Sequence, residues 1–318
     1  MSTIQNHLIM NRIIRKRDIS DYKTIEEFAD VIKSKTALKW LLVITYADMS
    51  SVNDTLWNQW YEILADQLYT STIEAFEKKG WKSIRSEKNR SKLTKIYGNR
   101  MPYLLNFSDR FFNDIEENDL NYIEIAKKKG SCVKTERGFG KLFVWKRDRK
   151  GLLSDITGIL LYKEINILGG TTYMIDNNAV DILIVETPLN FLEKDWNAAA
   201  YLINSMEAVN IEDLLKTKHK FGYMRKARVV KNIVPTVSFD IAASDLYTVI
   251  DIKATDRIGL LHNICKILTN RNCSIVFFKI STVLDVASDS FYITGPNGGK
   301  IFNTEELNEI AIALKDVL

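Results

Sequence analysis

Two short segments of the chain carry an acid, a base and a glycine directly before an apolar run. They are Asp148–Leu153 (DRKGLL) and Asp256–Leu261 (DRIGLL). A glycine at this position permits a tight turn, and a helix that begins after it presents unpaired backbone N–H groups at its positive end. Such a turn can bind an anionic group such as a carboxylate at the helix N-terminus.

A second segment, residues 167–183 (ILGGTTYMIDNNAVDIL), has a Gly-Gly pair followed by hydroxyl and acidic residues and an apolar run, as an active-site loop of a nucleotidyltransferase does. That chemistry needs two carboxylates spaced Asp-x-Asp on one strand face to hold Mg²⁺. Asp181 has Ala179 and Leu183 at that spacing, so the pair does not exist. The Gly169-Gly170 pair instead predicts a strand bulge, or a close backbone approach beside a partner domain or a ligand.

The composition is that of a soluble globular protein with two or three domains: 318 residues, 46% hydrophobic and 26% charged. A net charge of +4 does not favour nucleic-acid binding, and the sequence has no apolar run of the roughly 18–20 residues that a membrane helix needs. We expect a cytoplasmic protein with reduced thiols and no metal cluster, since its few cysteines and histidines are scattered and the N-terminus lacks a signal-peptide core. The cysteines are Cys132, Cys265 and Cys273, and the histidines are His7, His219 and His262.

The second half of the chain contains an internal repeat with an offset of 108 residues. The segment FVWKRDRKGLLSDITGILLYKEINI, from Phe143, aligns with DIKATDRIGLLHNICKILTNRNCSI, from Asp251. The register continues without a gap until Asp181 aligns with Asp289. Alignment over this length indicates two copies of one domain.

Each copy predicts the same order of elements. An apolar strand ends at the Asp-Arg-x-Gly turn, and a helix with apolar residues at positions three and four apart follows. In the first copy two strands come next, near 166–174 and 180–186, joined by an Asx-rich turn at 176–178. A second helix follows at 196–209, and at 304–317 in the second copy. This β-α-β-β-α order, with a final strand, predicts a ferredoxin-like domain and an α+β protein.

The first hundred residues predict a small helix bundle. Thr24 and Glu27 have the spacing of a capping box, and apolar residues recur at helical spacing from Asp54 to Lys79, where Gly80 is expected to end the helix. Residues 41–46 alone would also suit a strand. The basic run at 78–100 is interpreted as a solvated helix face in preference to a nucleic-acid patch.

The repeat, with its D-R-x-G-L-L loop, resembles the ACT domain, a small regulatory module that binds amino acids. The segments KRDISDYKTIEEFADVI and LLVITYADMSSVNDTLWNQWYEILADQLY resemble the end of the HD domain of the bifunctional protein-PII uridylyltransferase/uridylyl-removing enzyme family. In that family two tandem ACT domains follow the HD domain. The resemblance implies a partial HD-like region at 1–98, a helical connector at 99–138, and ACT domains at 139–228 and 229–318.

The family implies functions that this chain matches only in part. The full enzyme has a nucleotidyltransferase domain that modifies PII, an HD domain that removes the modification, and ACT domains that sense glutamine. Asp48, in the T-Y-A-D segment, matches the last metal ligand of the HD domain, but the family's leading His and His-Asp pair have no counterpart here. One carboxylate cannot hold a hydrolytic metal. We therefore expect no catalytic residue, metal or cofactor in this chain.

The leading hypothesis is a regulatory protein that binds an amino acid, glutamine by resemblance. Its expected partners are a PII-type signalling protein or an upstream enzyme chain, and a second copy of itself through the ACT domains. The alternatives are one part of a split uridylyltransferase/phosphodiesterase, or a dimerisation module whose aspartates only cap their turns. His262 is either a ligand contact or a surface residue. The candidate ligand-binding residues are Asp148, Arg149, Gly151, Leu152, Leu153 and Asn166 in the first copy, and Asp256, Arg257, Gly259, Leu260, Leu261 and Ser274 in the second.

Overall fold

The computed structural model describes residues 7–52, 57, 59–77, 81–135, 139–186, 193–220, 233–257, 259–283 and 286–318. It combines helices with an antiparallel sheet, which confirms the predicted α+β class. The chain divides into two compact units. The first is Met1–Glu117 with Ala243–Asp245, and the second is Asn118–Ala242 with Leu246–Leu318.

The first unit is helical in its described part, as the sequence predicts. The residues that would suit a strand, 41–46, lie inside a helix, and the predicted stop at Gly80 falls outside the described residues. The elements are α1 (His7–Lys16), α2 (Tyr22–Ile32), α3 (Lys35–Val52), α4 (Gln59–Glu77), α5 (Trp81–Tyr97), a 3-10 turn (Pro102–Asn106) and α6 (Asp109–Asp114).

The predicted capping box at Thr24 is wrong. Helix α2 begins at Tyr22, and its N-cap is Asp21, whose side chain accepts a hydrogen bond from the Lys23 backbone N–H at 3.1 Å. Thr24 is buried inside the helix, and its hydroxyl has no hydrogen-bond partner in the described part of the chain. Aspartate is at least as good an N-cap as threonine, so the earlier of the two available caps sets the start of the helix.

The core of the first unit forms where the apolar stripes of α1 to α4 meet. Several of its side chains are fully buried, among them Met10, Ile25, Phe28, Leu38 and Leu68. None of the described helices is both long enough and apolar enough to cross a bilayer.

The second unit contains the repeat. Its helices and strands occur in two similar series, which correspond at the 108-residue offset. They are α7 (Asp119–Lys129), β1 (Ser131–Thr135), β2 (Phe139–Arg147), α8 (Leu152–Tyr162), β3 (Ile167–Ile175), β4 (Asn178–Glu186), α9 (Glu193–Asn204), a 3-10 turn (Met206–Ala208), α10 (Ile211–Lys220), β5 (Thr236–Asp240), β6 (Thr248–Thr255), α11 (Leu260–Asn270), β7 (Ser274–Lys279), β8 (Thr282–Val283), β9 (Val286–Thr294) and α12 (Thr304–Lys315).

All of these strands join one antiparallel sheet in the order β1-β2-β4-β3-β7-β9-β6-β5, with β8 paired to β9. The predicted final strand is wrong for the second copy, in which no described strand follows α12, whereas in the first copy residues 221–232, where a final strand would follow α10, lie outside the described residues. The fourth strand, β1 or β5, comes from the segment before the copy and pairs with β2 or β6. In the second copy, α12 is followed only by a turn to Leu318. For the same reason the connector expected to be helical over 99–138 ends in strand β1.

Helices α8, α9 and α11 share a core with Leu142 and Val144 of β2, whereas α7 packs on β1 and β2 from the opposite face, which carries Phe143. Tyr122 of α7 stacks on Phe143 of β2, with ring centroids 5.7 Å apart. Asp119, at the start of α7, accepts from the ammonium groups of Lys134 at 3.1 Å and Lys141 at 2.9 Å. The residues before the predicted first ACT domain are therefore packed into its sheet.

The two copies meet where β3 pairs with β7. Gly169 lies opposite Lys279 and Gly170 opposite Phe278, and the register of β3 shifts between Ile167 and Gly169. A Cβ added to Gly169 would lie 3.0 Å from the Phe278 carbonyl oxygen. The prediction of a bulge and a close backbone approach at this glycine pair is confirmed.

Candidate functional site

The glycines of the two Asp-Arg-x-Gly turns have the same backbone conformation. Gly151 has φ +84° and Gly259 has φ +85°, and each is the N-cap of the helix that follows, α8 or α11. A side chain is strained in this left-handed region, so the turn requires glycine. The Asp148 backbone N–H donates to the Asn177 carbonyl at 2.9 Å, which ties the first turn to the β3–β4 hairpin.

That hairpin has the predicted turn. Asp176 and Asn177 have φ values of +45° and +61°, which Asx residues tolerate better than others.

The leucines that follow each glycine belong to the core. Leu152 and Leu260 are buried, and Leu153 and Leu261 pack against the same cluster. Their side chains therefore anchor the helix starts. The backbone N–H groups of Leu152 and Leu260 donate to the Arg149 and Arg257 carbonyls at 3.2 Å and 3.1 Å, so a ligand would have to bind the other N–H groups of the first helical turn.

The polar candidates lie at the surface. Asp148, Asp256 and Arg257 are exposed, and the Arg257 guanidinium donates to the Val317 carbonyl. Arg149 is half-buried and forms an ion pair with Asp155 at 2.5 Å.

Asn166, which precedes β3, and Ser274, the first residue of β7, are also exposed. The Asn166 amide donates to the Glu186 carboxylate at 3.0 Å.

Each turn faces the other copy, an arrangement that the sequence did not predict. Lys150 in the first turn donates to the Asn272 side chain, beyond the end of α11, at 2.8 Å. A Cβ added to Gly151 would lie 3.6 Å from Thr269 of α11, and one added to Gly259 would lie 3.3 Å from Leu161 of α8. The two candidate sites are thus composite, since each joins the turn of one copy to the helix end of the other.

His262 lies at the contact between α8 and α11, so the expectation of a surface residue is wrong. It is buried, and its Nδ1 lies 2.9 Å from the Ser154 carbonyl oxygen. A carbonyl only accepts hydrogen bonds, so Nδ1 carries the proton. Burial lowers the pKa of this imidazole, and the hydrogen bond to Ser154 opposes that effect.

Asp181 of β4 was missed as a site residue. Its side chain is only 1% exposed, and Oδ1 accepts from the Thr172 hydroxyl at 2.6 Å. Oδ2 is buried without a hydrogen-bond partner among the described residues. Burial raises the pKa of this carboxyl to about 6, and the nearby charge of Asp148 adds to the rise. The available signal was an aspartate retained by both copies inside an apolar strand.

Comparison with known proteins gives one consistent answer. A relative from Caulobacter vibrioides, described as a bifunctional uridylyltransferase/uridylyl-removing enzyme, is 26% identical over 329 residues, which cover 96% of this chain and 35% of the relative. A protein of the same description from Rhodospirillum rubrum is 27% identical over 98% of this chain and 36% of its own length. The chain is a homologue of bifunctional uridylyltransferase/uridylyl-removing enzymes. The predicted resemblance is confirmed, and the chain spans about a third of the length of these relatives.

The other comparisons add nothing to this assignment. No protein-family model matches the chain. A solved structure described as an unknown protein from Galdieria sulphuraria is 15% identical and covers 57% of this chain and 91% of its own, with a TM-score of 0.18, too low to support an argument about fold.

Asp48, the residue that resembles an HD-domain ligand of the uridylyl-removing enzymes, is exposed on α3. Within the described part of the chain, no three His, Cys, Asp or Glu side chains are arranged to hold a metal ion.

Proposed function

We propose that this chain is an amino-acid-sensing regulatory protein that corresponds to the C-terminal sensor portion of the uridylyltransferase/uridylyl-removing enzymes. The observation that carries the proposal is the pair of composite sites, in which an Asp-Arg-x-Gly turn at a helix N-terminus faces the end of the other copy's helix. By this proposal the two copies are a tandem pair of ACT domains, and the chain acts in the cytoplasm in nitrogen regulation.

The chemistry of the turns suits an α-amino acid. The first-turn N–H groups of α8 and the Arg149 guanidinium favour the α-carboxylate, because both present positive potential. An aspartate opens each turn, Asp148 or Asp256, and its negative charge favours an ammonium group nearby. Glutamine is favoured by the family resemblance, and PII is the corresponding signalling partner.

Isothermal titration calorimetry of the whole chain against the twenty amino acids tests this function. We expect heat with glutamine and a rise in melting temperature, because a ligand that binds only the folded state stabilises it. No heat and an unchanged melting temperature with every amino acid would exclude the sensor function. Light scattering with and without glutamine separates ligand sensing from simple dimerisation, which would not depend on the amino acid.

A second candidate is a subunit that completes a split enzyme, and one observation favours it. Trp40, Val43 and Tyr46 lie on one face of α3 and are 60%, 49% and 52% exposed. Large exposed apolar side chains at helical spacing are typical of a surface that binds another polypeptide. In this case only the complex of this chain with the chain that supplies the remaining HD residues would be catalytically active. A phosphodiesterase assay on uridylylated PII, with and without the chain that supplies the remaining HD residues, distinguishes this role from sensing.

A further inference from the structure

The two composite sites differ at positions that the repeat makes equivalent. We define site A as the Asp148–Leu153 turn with the end of α11, and site B as the Asp256–Leu261 turn with the end of α8. Site A has Lys150 where the second turn has Ile258. Beyond the helix that faces each turn, site A has Asn272, with φ +57°, and site B has Glu164, with φ +58°. Equivalent positions of the two sites therefore carry different charges.

These differences favour an anion at site A. Its turn carries Lys150 in addition to Arg149, whose charge Asp155 compensates, and the facing residue, Asn272, is neutral. Site B has one cation in its turn, Arg257, and the facing residue Glu164 is acidic. A carboxylate is attracted by the first arrangement, whereas Glu164 repels it at the second.

The strand beneath site A holds the complementary group. Ala179, Leu183 and Val185 of β4 belong to the core under the helices, and strand alternation puts Asp181 on the same face. Asp148, the first residue of site A, directly follows β2, which pairs with β4, and its backbone N–H donates to the Asn177 carbonyl just before β4. Asp181 therefore lies on the strand to which the turn is tied, and the charge of Asp148 acts on it. Its Oδ2 has no hydrogen-bond partner among the residues that the structure describes.

The equivalent aspartate of the second copy, Asp289, already accepts a hydrogen bond. Asp289 is 2% exposed, and its Oδ1 accepts from the Ser281 backbone N–H at 3.2 Å. Neither Asp289 oxygen is among the buried atoms that lack a partner in the described chain. The sequence thus retains the carboxylate in both copies, but only Asp181 has an oxygen available for a further donor.

From these differences we propose that site A alone is the amino-acid receptor, and that Asp181 accepts a hydrogen bond from the ligand's ammonium group. The ligand's carboxylate is then held by the N-terminus of α8 with Arg149 and Lys150. This inference rests on the proposed sensor function and adds the choice of site and the group that recognises the ammonium.

Calorimetry with glutamine and with its analogue that lacks the α-amino group tests the inference. We expect one glutamine per chain, and Asp181→Asn should weaken glutamine binding by about 10- to 100-fold, the effect of losing a charge-assisted hydrogen bond. The same substitution should leave binding of the des-amino analogue unchanged within about twofold. The matched control is Asp289→Asn, which keeps the oxygen that accepts from Ser281 and should not change glutamine binding.

A second variant tests the same assignment if Asp181→Asn does not fold. Lys150→Ile gives site A the residue of the second turn, alters an exposed side chain, and should weaken both ligands by about tenfold because it removes a cation from the carboxylate. Circular dichroism and melting temperature establish that each variant is folded.

The outcomes separate the two claims. Absence of binding by the unaltered chain excludes the sensor function itself. Binding of glutamine that is unaffected by Asp181→Asn and Lys150→Ile, or a loss caused by Asp289→Asn, leaves the sensor function standing and overturns the assignment to site A. Two equivalent glutamine sites per chain would overturn it as well.

Discussion

Asp119 and Lys141 form an ion pair inside the second unit, with the Lys141 ammonium 2.9 Å from one carboxylate oxygen of Asp119. The other oxygen binds Lys134 at 3.1 Å, and the Asp119 side chain is only 2% exposed. One carboxylate thus compensates two lysines and fixes α7 against the sheet.

Asp119→Ala should therefore lower the free energy of unfolding by about 3 kcal/mol or more, because it removes the carboxylate that compensates two largely buried ammonium groups. Urea denaturation followed by circular dichroism measures the change. Glu309→Ala, which removes an exposed partner of Arg271, is the control and should cost less than about 1 kcal/mol. Equal effects of the two substitutions would contradict the structural role of Asp119.

The junction between the copies makes a second prediction. A Cβ at Gly170 would lie 2.5 Å from Leu183 and 2.9 Å from the Phe278 ring. Gly170→Ala should destabilise the fold by about 1–3 kcal/mol through overpacking. The double variant with Phe278→Leu should lose less than the sum of the single changes. Gly299→Ala, in open space, is the control, and full additivity in the double variant would exclude the predicted clash.

A third prediction concerns pH and Asp181. Its folded-state pKa, about 6, exceeds the unfolded value of 3.8. The folded state thus binds the proton more tightly, so this group costs stability as the pH rises from about 4 through 6. Relative to Asp181→Asn, the wild type should lose on the order of 2–3 kcal/mol between pH 4 and pH 8. Urea titrations of both proteins measure the difference, and a difference that stays constant with pH would contradict a buried carboxylate with a raised pKa.

His262 makes the opposite prediction. Burial lowers the pKa of its imidazole below the ordinary 6.5, so its contribution to stability is present above pH 6.5 and is lost as the pH falls below that value. The charged groups that act on it are Lys266, Asp155 and Glu212. The wild type should lose stability relative to His262→Gln between pH 7 and pH 5. Parallel stability curves for the two proteins would contradict this role.

Local features of the fold followed from the sequence where a residue type has a backbone preference. The Asp176-Asn177 turn and the glycine turns before α8 and α11 are examples, because left-handed backbone selects Asx or glycine. The bulge at Gly169 followed from a glycine pair inside a strand.

Features that depend on distant segments did not follow. The edge strands β1 and β5 are five residues each, too short to stand out from their neighbours, and their pairing partners decide their conformation. The same holds for the candidate site. The repeat places Lys150 and Asn272 in different copies, and only the packing of α8 on α11 brings them together.

The 108-residue offset relates Gly170 to Phe278, and Ser154 to His262, yet each pair consists of residues that meet each other. In an assembly of identical subunits, a residue on the twofold axis meets its own counterpart, so glycine would face glycine and phenylalanine would face phenylalanine. Covalent fusion removes that constraint and lets the two halves specialise. Neither half can now pair with a copy of itself at this point. Two first halves would place glycine opposite glycine and leave a void, and two second halves would bring two phenylalanine rings into the same space.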